Sequence, residues 1–297
     1  MRRMVPFVAV WVLVVSVCHT RAEPEKSQLG IPYAVIPGVD ANLLSLDIYR
    51  PDVQTAKPLP VVVMVHGGGW AIGDKGNPSV GIDKATFFNA NGFVYVSLNY
   101  RLSPVVQHPT HAEDVAAAVA WVLEQIGDYG GDPNLVTLMG HSAGAHLAAL
   151  VATDERYLTK HGKSASVLNG VILLDTAGFD IPRNLEEFSE ARAARALYET
   201  AFGKDRDRWI EASPITYVKE GKKLPRFLVF FTNRNSASTL SKAFVEAARK
   251  AGGTASAVLA EGKSHKTINT DIGGANDGPS RLILDFIAGR KVFPDSI

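Results

Sequence analysis

Apolar positions along this chain fall into short blocks of two kinds, separated by turn-forming stretches. One kind is a continuous run rich in β-branched residues, of which Pro60-Val61-Val62-Val63-Met64-Val65 is the clearest. Runs at 60–65, 93–99, 134–139, 169–175, 226–232 and 255–260 have this character, that of strands buried on both faces of a sheet. The other kind has helical spacing. Over 110–126, Val115, Val119, Val122 and Leu123 recur at helical intervals, and 80–91, 143–153, 237–251 and 279–288 also read as helices. Strands and helices therefore alternate, which predicts an α/β fold with a mostly parallel central sheet and helices on both faces. Ahead of the first run, 31–36 and 43–49 flank Gly38-Val39-Asp40-Ala41-Asn42 and predict an antiparallel hairpin at a sheet edge.

One stretch breaks the alternation. Residues 180–224 hold a charged, helix-like run at 185–198, a Phe202-Gly203 break and Ser213-Pro214. They predict a small helical insertion over the end of the sheet where ligands bind. Phe188, Tyr198, Phe202 and Trp209 either line its pocket or pack it onto the sheet.

The first 22 residues read as a leader. Arg2 and Arg3 precede an apolar stretch over 5–18, interrupted by Pro6 and Ser16, and Thr20-Arg21-Ala22 offers a cleavage site. The stretch is shorter than the roughly 20 residues of a spanning helix. The expectation is a secreted or periplasmic protein with no membrane span in its mature form, residues 23–297 making a single domain. Lys and Arg total 31 against 30 Asp and Glu, and the leader holds three of the arginines. The balance leaves no basic field for nucleic acid or an anionic membrane. Cys18 is the only cysteine, so a mature chain would have no disulfide, thiol nucleophile or thiolate metal site.

The chemistry sits in two glycine strings. Gly140-His141-Ser142-Ala143-Gly144 follows the run at 134–139 and is a G-x-S-x-G elbow, which holds a serine hydroxyl out of a tight strand-to-helix turn. His66-Gly67-Gly68-Gly69-Trp70 ends the first run, 76 positions before the serine. Its backbone N–H groups, Gly68 and Gly69 foremost, are placed to form an oxyanion hole with the N–H of Ala143. Acyl transfer by Ser142 needs a base, and in this fold the order along the chain is Ser, acid, His. His265, just past the last run, is the only histidine after His161 and is the candidate base. His66 reads as a brace for the glycine loop and His141 as a filler position. His146, His108 and His111 are spaced wrongly for a helical zinc pair, so no metal is expected.

The acid departs from pattern. The loop after the run at 226–232 reads Asn233-Arg234-Asn235-Ser236 and has no carboxylate. Two solutions stay open. Asp175 closes the run after the elbow, while Asn233 or Asn235 would hold the imidazole with an amide, at a cost of about 10⁴ in a serine triad. Asp180 and Asp271 are further carboxylates, Asp271 only six residues from His265.

These strings resemble the α/β-hydrolase esterases and lipases, in particular the hormone-sensitive-lipase-like and bacterial feruloyl-esterase-like group that includes kynurenine formamidase. Gly73-Asp74, Asn99-Tyr100-Arg101-Leu102-Ser103, Glu113-Asp114-Val115 and Gly130-Gly131-Asp132-Pro133 extend the likeness. The resemblance implies cofactor-free hydrolysis of a carboxylic ester, the substrate being small or polysaccharide-linked. Near relatives usually carry aspartate in the loop at 233–236. Two alternatives remain at this point: a small-amide hydrolase of the formamidase type, and a non-catalytic binding protein on a hydrolase scaffold.

Overall fold

A computed structural model describes residues 26–52, 55–290 and 292. The leader expected over 1–22, with Cys18, lies outside them. One sheet of eight strands organises the described chain: β1 (Lys26–Pro32), β2 (Ser45–Arg50), β3 (Leu59–Val65), β4 (Val94–Leu98), β5 (Gly131–His141), β6 (Gly170–Leu174), β7 (Phe227–Phe231) and β8 (Ala255–Leu259). Their order across the sheet is β1-β2-β4-β3-β5-β6-β7-β8. β1, β2 and β4 pair antiparallel, and every pair from β4 to β8 is parallel. The six parallel strands are the six apolar runs.

Two strand boundaries differ most from the sequence expectation. The first strand of the edge hairpin is 26–32 rather than 31–36. Proline has no N–H for the ladder, the strand ends at Pro32, and Val35 and Ile36 beyond it are exposed. β5 starts at Gly131 rather than 134, because Gly131 pairs with Leu59 across an irregularity in the β3–β5 register.

Alternation along the strands sends side chains to two cores. Val61, Val63 and Val65 of β3 pack with α2 (Thr110–Gln125) and α3 (Ala143–Thr153) on one face. Val62 and Met64 pack with α1 (Ile82–Ala90) and α11 (Gly278–Ile287) on the other. α3 is buried along its whole length, which explains its lack of a polar stripe. The short α4 (Glu155–Thr159) follows it, α9 (Asn235–Lys250) joins β7 to β8, and α10 (Thr267–Thr270) follows β8.

The insertion consists of four short helices, α5 (Ile181–Glu187), α6 (Ser189–Ala193), α7 (Arg195–Phe202) and α8 (Arg206–Glu211). The single run expected over 185–198 is broken because Phe188 turns to extended geometry and buries its ring. Trp70, which follows the glycine loop, meets Tyr198 at 5.2 Å, Phe202 at 4.7 Å and the ring of His146 at 5.3 Å. Phe188, Tyr198, Phe202 and Trp209 are all buried. They fasten the insertion to the sheet rather than line an open pocket.

Candidate active site

The carboxyl ends of β3, β5, β6 and β7 form one crest, and each contributes to the site. At the end of β5, Ser142 adopts φ +54° and ψ −118°, a strained backbone geometry for a residue with a side chain. The flanking glycines make the turn possible. A Cβ on Gly140 would lie 2.3 Å from the Gly144 carbonyl oxygen, and one on Gly144 2.2 Å from that of Val65. The Ser142 N–H donates to the Leu174 carbonyl at 2.9 Å, tying the elbow to the end of β6.

That tie places Asp175, the next residue, beside the serine. His265 lies in the loop between β8 and α10. Its Nδ1 donates to Asp175 Oδ2 at 2.7 Å, and its Nε2 is 3.0 Å from Ser142 Oγ. With the proton on Nδ1, the Nε2 lone pair faces the serine hydroxyl. The Asp175 side chain is 0% exposed and that of His265 39%. The carboxylate is therefore sealed beneath an imidazole that solvent and substrate can reach.

Of the two solutions left open for the acid, the structure brings Asp175 to the histidine. Asn233 and Asn235 are exposed. Ser236 donates its N–H to Glu190 Oε1 at 2.8 Å and its hydroxyl to the same oxygen. Asp271 pairs with Lys263 at 3.0 Å, and Asp180 caps α5 by accepting from the Arg183 N–H. The loop after β7 contributes differently. Thr232 donates to Asp175 Oδ1 from its N–H at 2.9 Å and its hydroxyl at 3.1 Å. Arg234 donates from Nε to Oδ2 and from Nη2 to the Asp175 main-chain oxygen, both at 3.1 Å. Burial works to raise the Asp175 carboxyl. The His265 hydrogen bond, the Arg234 charge and the Thr232 N–H outweigh it and hold the group at about 2.

His141 is not a filler. Its Nε2 donates to the His265 carbonyl at 2.8 Å, and the two rings lie 4.8 Å apart. It anchors the main chain of the candidate base, while burial pushes its own pKa down to about 3. Nothing in the sequence distinguishes His141, Thr232 or Arg234 from ordinary loop residues; only the meeting of strand ends makes them neighbours.

The glycine loop lies beside the elbow, where a Cβ on Gly67 would sit 3.2 Å from Ser142 Cβ. Gly68 and Gly69 have φ of +114° and +60°, which only glycine adopts freely. The Ala143 N–H belongs to the first turn of α3, where helix donors lack internal acceptors. Among the described residues no acceptor takes the Gly68 or Gly69 N–H. The loop is braced from below. His66 donates to the Gly67 carbonyl at 2.7 Å and stacks on Tyr100, and Asp74 accepts from Asn99 at 2.8 Å and Asn42 at 2.9 Å. Arg101 forks onto Asp114 at 2.8 and 2.6 Å. The strings around 73–74, 99–103 and 113–115 are thus parts of one scaffold. Above the loop, a Cβ on Gly69 would lie 2.6 Å from Leu197 Cδ2, and one on Gly68 would meet the Ile72 backbone. Leu197 and Ile72 are both exposed and put aliphatic surface beside the loop. Among the described residues no group of three His, Cys, Asp or Glu side chains converges as a metal site would.

Comparison with known proteins identifies the family and the fold. The BD-FAE family profile matches residues 46–243. Esterase LipQ of Mycobacterium tuberculosis is 34% identical over 241 residues, covering 79% of this chain and 55% of LipQ. A probable isoprenylcysteine alpha-carbonyl methylesterase, ICMEL1 of Arabidopsis thaliana, is 30% identical over 82% of this chain and 54% of its own. The chain thus spans about half the length of these relatives. Among solved structures, an inhibited esterase B from Lactobacillus rhamnosis superposes with a TM-score of 0.72 at 21% identity, covering 91% of this chain and 89% of that one. A hyperthermophilic esterase from Pyrobaculum calidifontis gives 0.68 at 25% identity, covering 82% and 81%.

Proposed function

The chain belongs to the BD-FAE family within the α/β-hydrolase esterases and lipases, and from that premise we propose that it is a serine carboxylic ester hydrolase working through an acyl-enzyme. The observation that carries the proposal is the unbroken hydrogen-bonded series Ser142–His265–Asp175. His265 Nε2 takes the hydroxyl proton as Ser142 Oγ attacks the ester carbonyl. The resulting alkoxide lies against the N–H groups of Gly68, Gly69 and Ala143, donors worth about 10²–10³ each in turnover. Asp175 accepts from Nδ1–H throughout, which fixes the tautomer and stabilises the imidazolium without itself taking the proton. The C–O bond to the alcohol then breaks, and the alcohol leaves with the proton from Nε2. Water enters, gives its proton to His265 and attacks the acyl carbonyl. Ser142 recovers the proton as the acid departs.

The substrate is a small ester whose acyl group sits against Leu197 and Ile72, the aliphatic pair at the hole. The leader pattern at 1–22 favours export, which puts an ester outside the cytoplasm, such as an acyl group on a polysaccharide, within reach. The carboxylate at 175, within hydrogen-bond reach of His265, supports the catalytic reading over a non-catalytic scaffold. Hydrolysis of p-nitrophenyl acetate through octanoate by the purified protein tests the proposal, with Ser142→Ala alongside. Turnover within the usual 1–10³ s⁻¹, lost in the variant, supports it. Absence of Ser142-dependent turnover across the whole series overturns it.

A further inference from the structure

We propose that Arg234 is a positioning residue of this site, a clamp that fixes the Asp175 carboxylate and main chain and through them orients His265. The inference rests on the hydrolase reading above and extends it to a residue outside the Ser–His–Asp series.

Four observations carry it. Asp175 has φ +49°, a left-handed backbone at a residue with a side chain, which surrounding structure must hold in place. Its carboxylate is fully buried at the end of β6, where an ionised group needs several donors. Among the described residues, Arg234 alone grips both parts of Asp175. Its Nε and Nη2 lie 3.1 and 3.0 Å from Oδ2, and Nη2 also donates to the main-chain oxygen. The planar fork thus restrains side-chain rotation and backbone together. Finally, the loop carrying Arg234 is held from the insertion, because Glu190 of α6 accepts from the N–H of Ser236 two residues on.

The clamp also shapes the charge at the site. Oδ2 is shared by the Arg234 guanidinium and His265 Nδ1, so a fixed cation stands close to the ring that becomes an imidazolium. Among the described residues, other titratable groups facing this cluster include Glu190 on α6, Tyr198 on α7 and His141 at the end of β5, with Lys84 of α1 acting on His141 in turn. Removing the cation makes protonation of the base easier, and removing the fork loosens its partner. Two substitutions separate these effects.

The experiment is the pH profile of kcat and kcat/KM on p-nitrophenyl butyrate for wild type, Arg234→Gln and Arg234→Lys, over the range where circular dichroism shows each folded. The far-downfield proton resonance of the His265–Asp175 hydrogen bond supplies a readout independent of turnover. In Arg234→Gln, kcat is expected to fall about ten- to a hundredfold, as for other outer partners of a site, with KM little changed. The acidic limb of kcat/KM should move up in pH as a cation leaves the neighbourhood of the base, and the resonance should broaden. Arg234→Lys keeps the charge without the fork, so its limb should stay in place while kcat still falls. Folded variants that both keep the wild-type limb, kcat and resonance would overturn the clamp. If wild type shows the resonance and Arg234→Gln loses it, while no variant shows Ser142-dependent turnover, the hydrolase reading falls and the clamp stands.

Discussion

At the ends of β3 and β5 the crest is shaped by backbone: two glycine strings, a serine at φ +54°, and clearances of 2.2–2.3 Å that admit no side chain. At the ends of β6 and β7, the adjoining part of the same crest, it is shaped by side chains. There Asp175, Thr232 and Arg234 make a knot of charge and hydrogen bonds that no glycine dictates. Backbone constraints leave a signature in sequence, because only one residue type satisfies them. A carboxylate needs only a strand end within reach of the histidine, and several positions offer one.

Substitutions test whether the halves differ in this way. The largest effect belongs to Ser142→Ala, expected to cut kcat by about 10⁶ while thermal unfolding barely changes; a residual rate of a tenth of wild type would mean the elbow is not the nucleophile. Asp175→Asn comes next, at about 10⁴ in kcat, and a small change there would reduce the acid side to a structural ion pair.

Acid should separate the halves without any substitution. Burial holds His141 at about 3 and His146 at about 4, and lowers His66, on the nucleophile side, and it holds His108 at about 4 and His111 at about 3 at the start of α2. The unfolded chain binds these protons near pH 6.5. Their neutral forms therefore stabilise the fold above that pH, and this is lost as pH falls toward the folded-state values. Each buried neutral imidazole therefore adds stability that acid removes, and an ordinary domain has little to spare. Asp175, held at about 2, stabilises above about pH 3.9 and loses this only as pH falls through 2. Circular dichroism from neutral to acid pH should show unfolding begin between about pH 6 and 4. Onset only below about pH 3 would make carboxylates, not buried imidazoles, the controlling groups.

Gly68→Ala is expected to cost about 10²–10³ in kcat, since its Cβ would sit 2.0 Å from the Ile72 carbonyl oxygen at φ +114°; an unchanged kcat would take Gly68 out of the hole. The smallest effect is assigned to Asn233→Ala. This exposed residue should leave kcat and stability within error, and a large loss would return the amide solution to consideration.

The parallel strands and both glycine strings were legible because their constraints are local: two-sided burial gives unbroken apolar runs, and tight turns give glycine. The insertion was legible as a break in pattern but not as four helices, since the turn at Phe188 is set by a buried ring rather than by a local breaker. Asp175 stood among several candidates because β6 and β7 meet only in the sheet. Arg234 was invisible as a partner, lying 59 residues from the aspartate it grips. His141 looked idle because its hydrogen-bond acceptor is 124 residues away.

The seat of the acid bears on how inactive hydrolases are counted. A census that declares an enzyme dead when the loop after the seventh strand lacks Asp or Glu would file this chain among the fossils. Its carboxylate sits one strand over, already aligned with the histidine. A census scored on strand-end geometry, treating neighbouring strands as interchangeable donors of the acid, would keep it as a candidate.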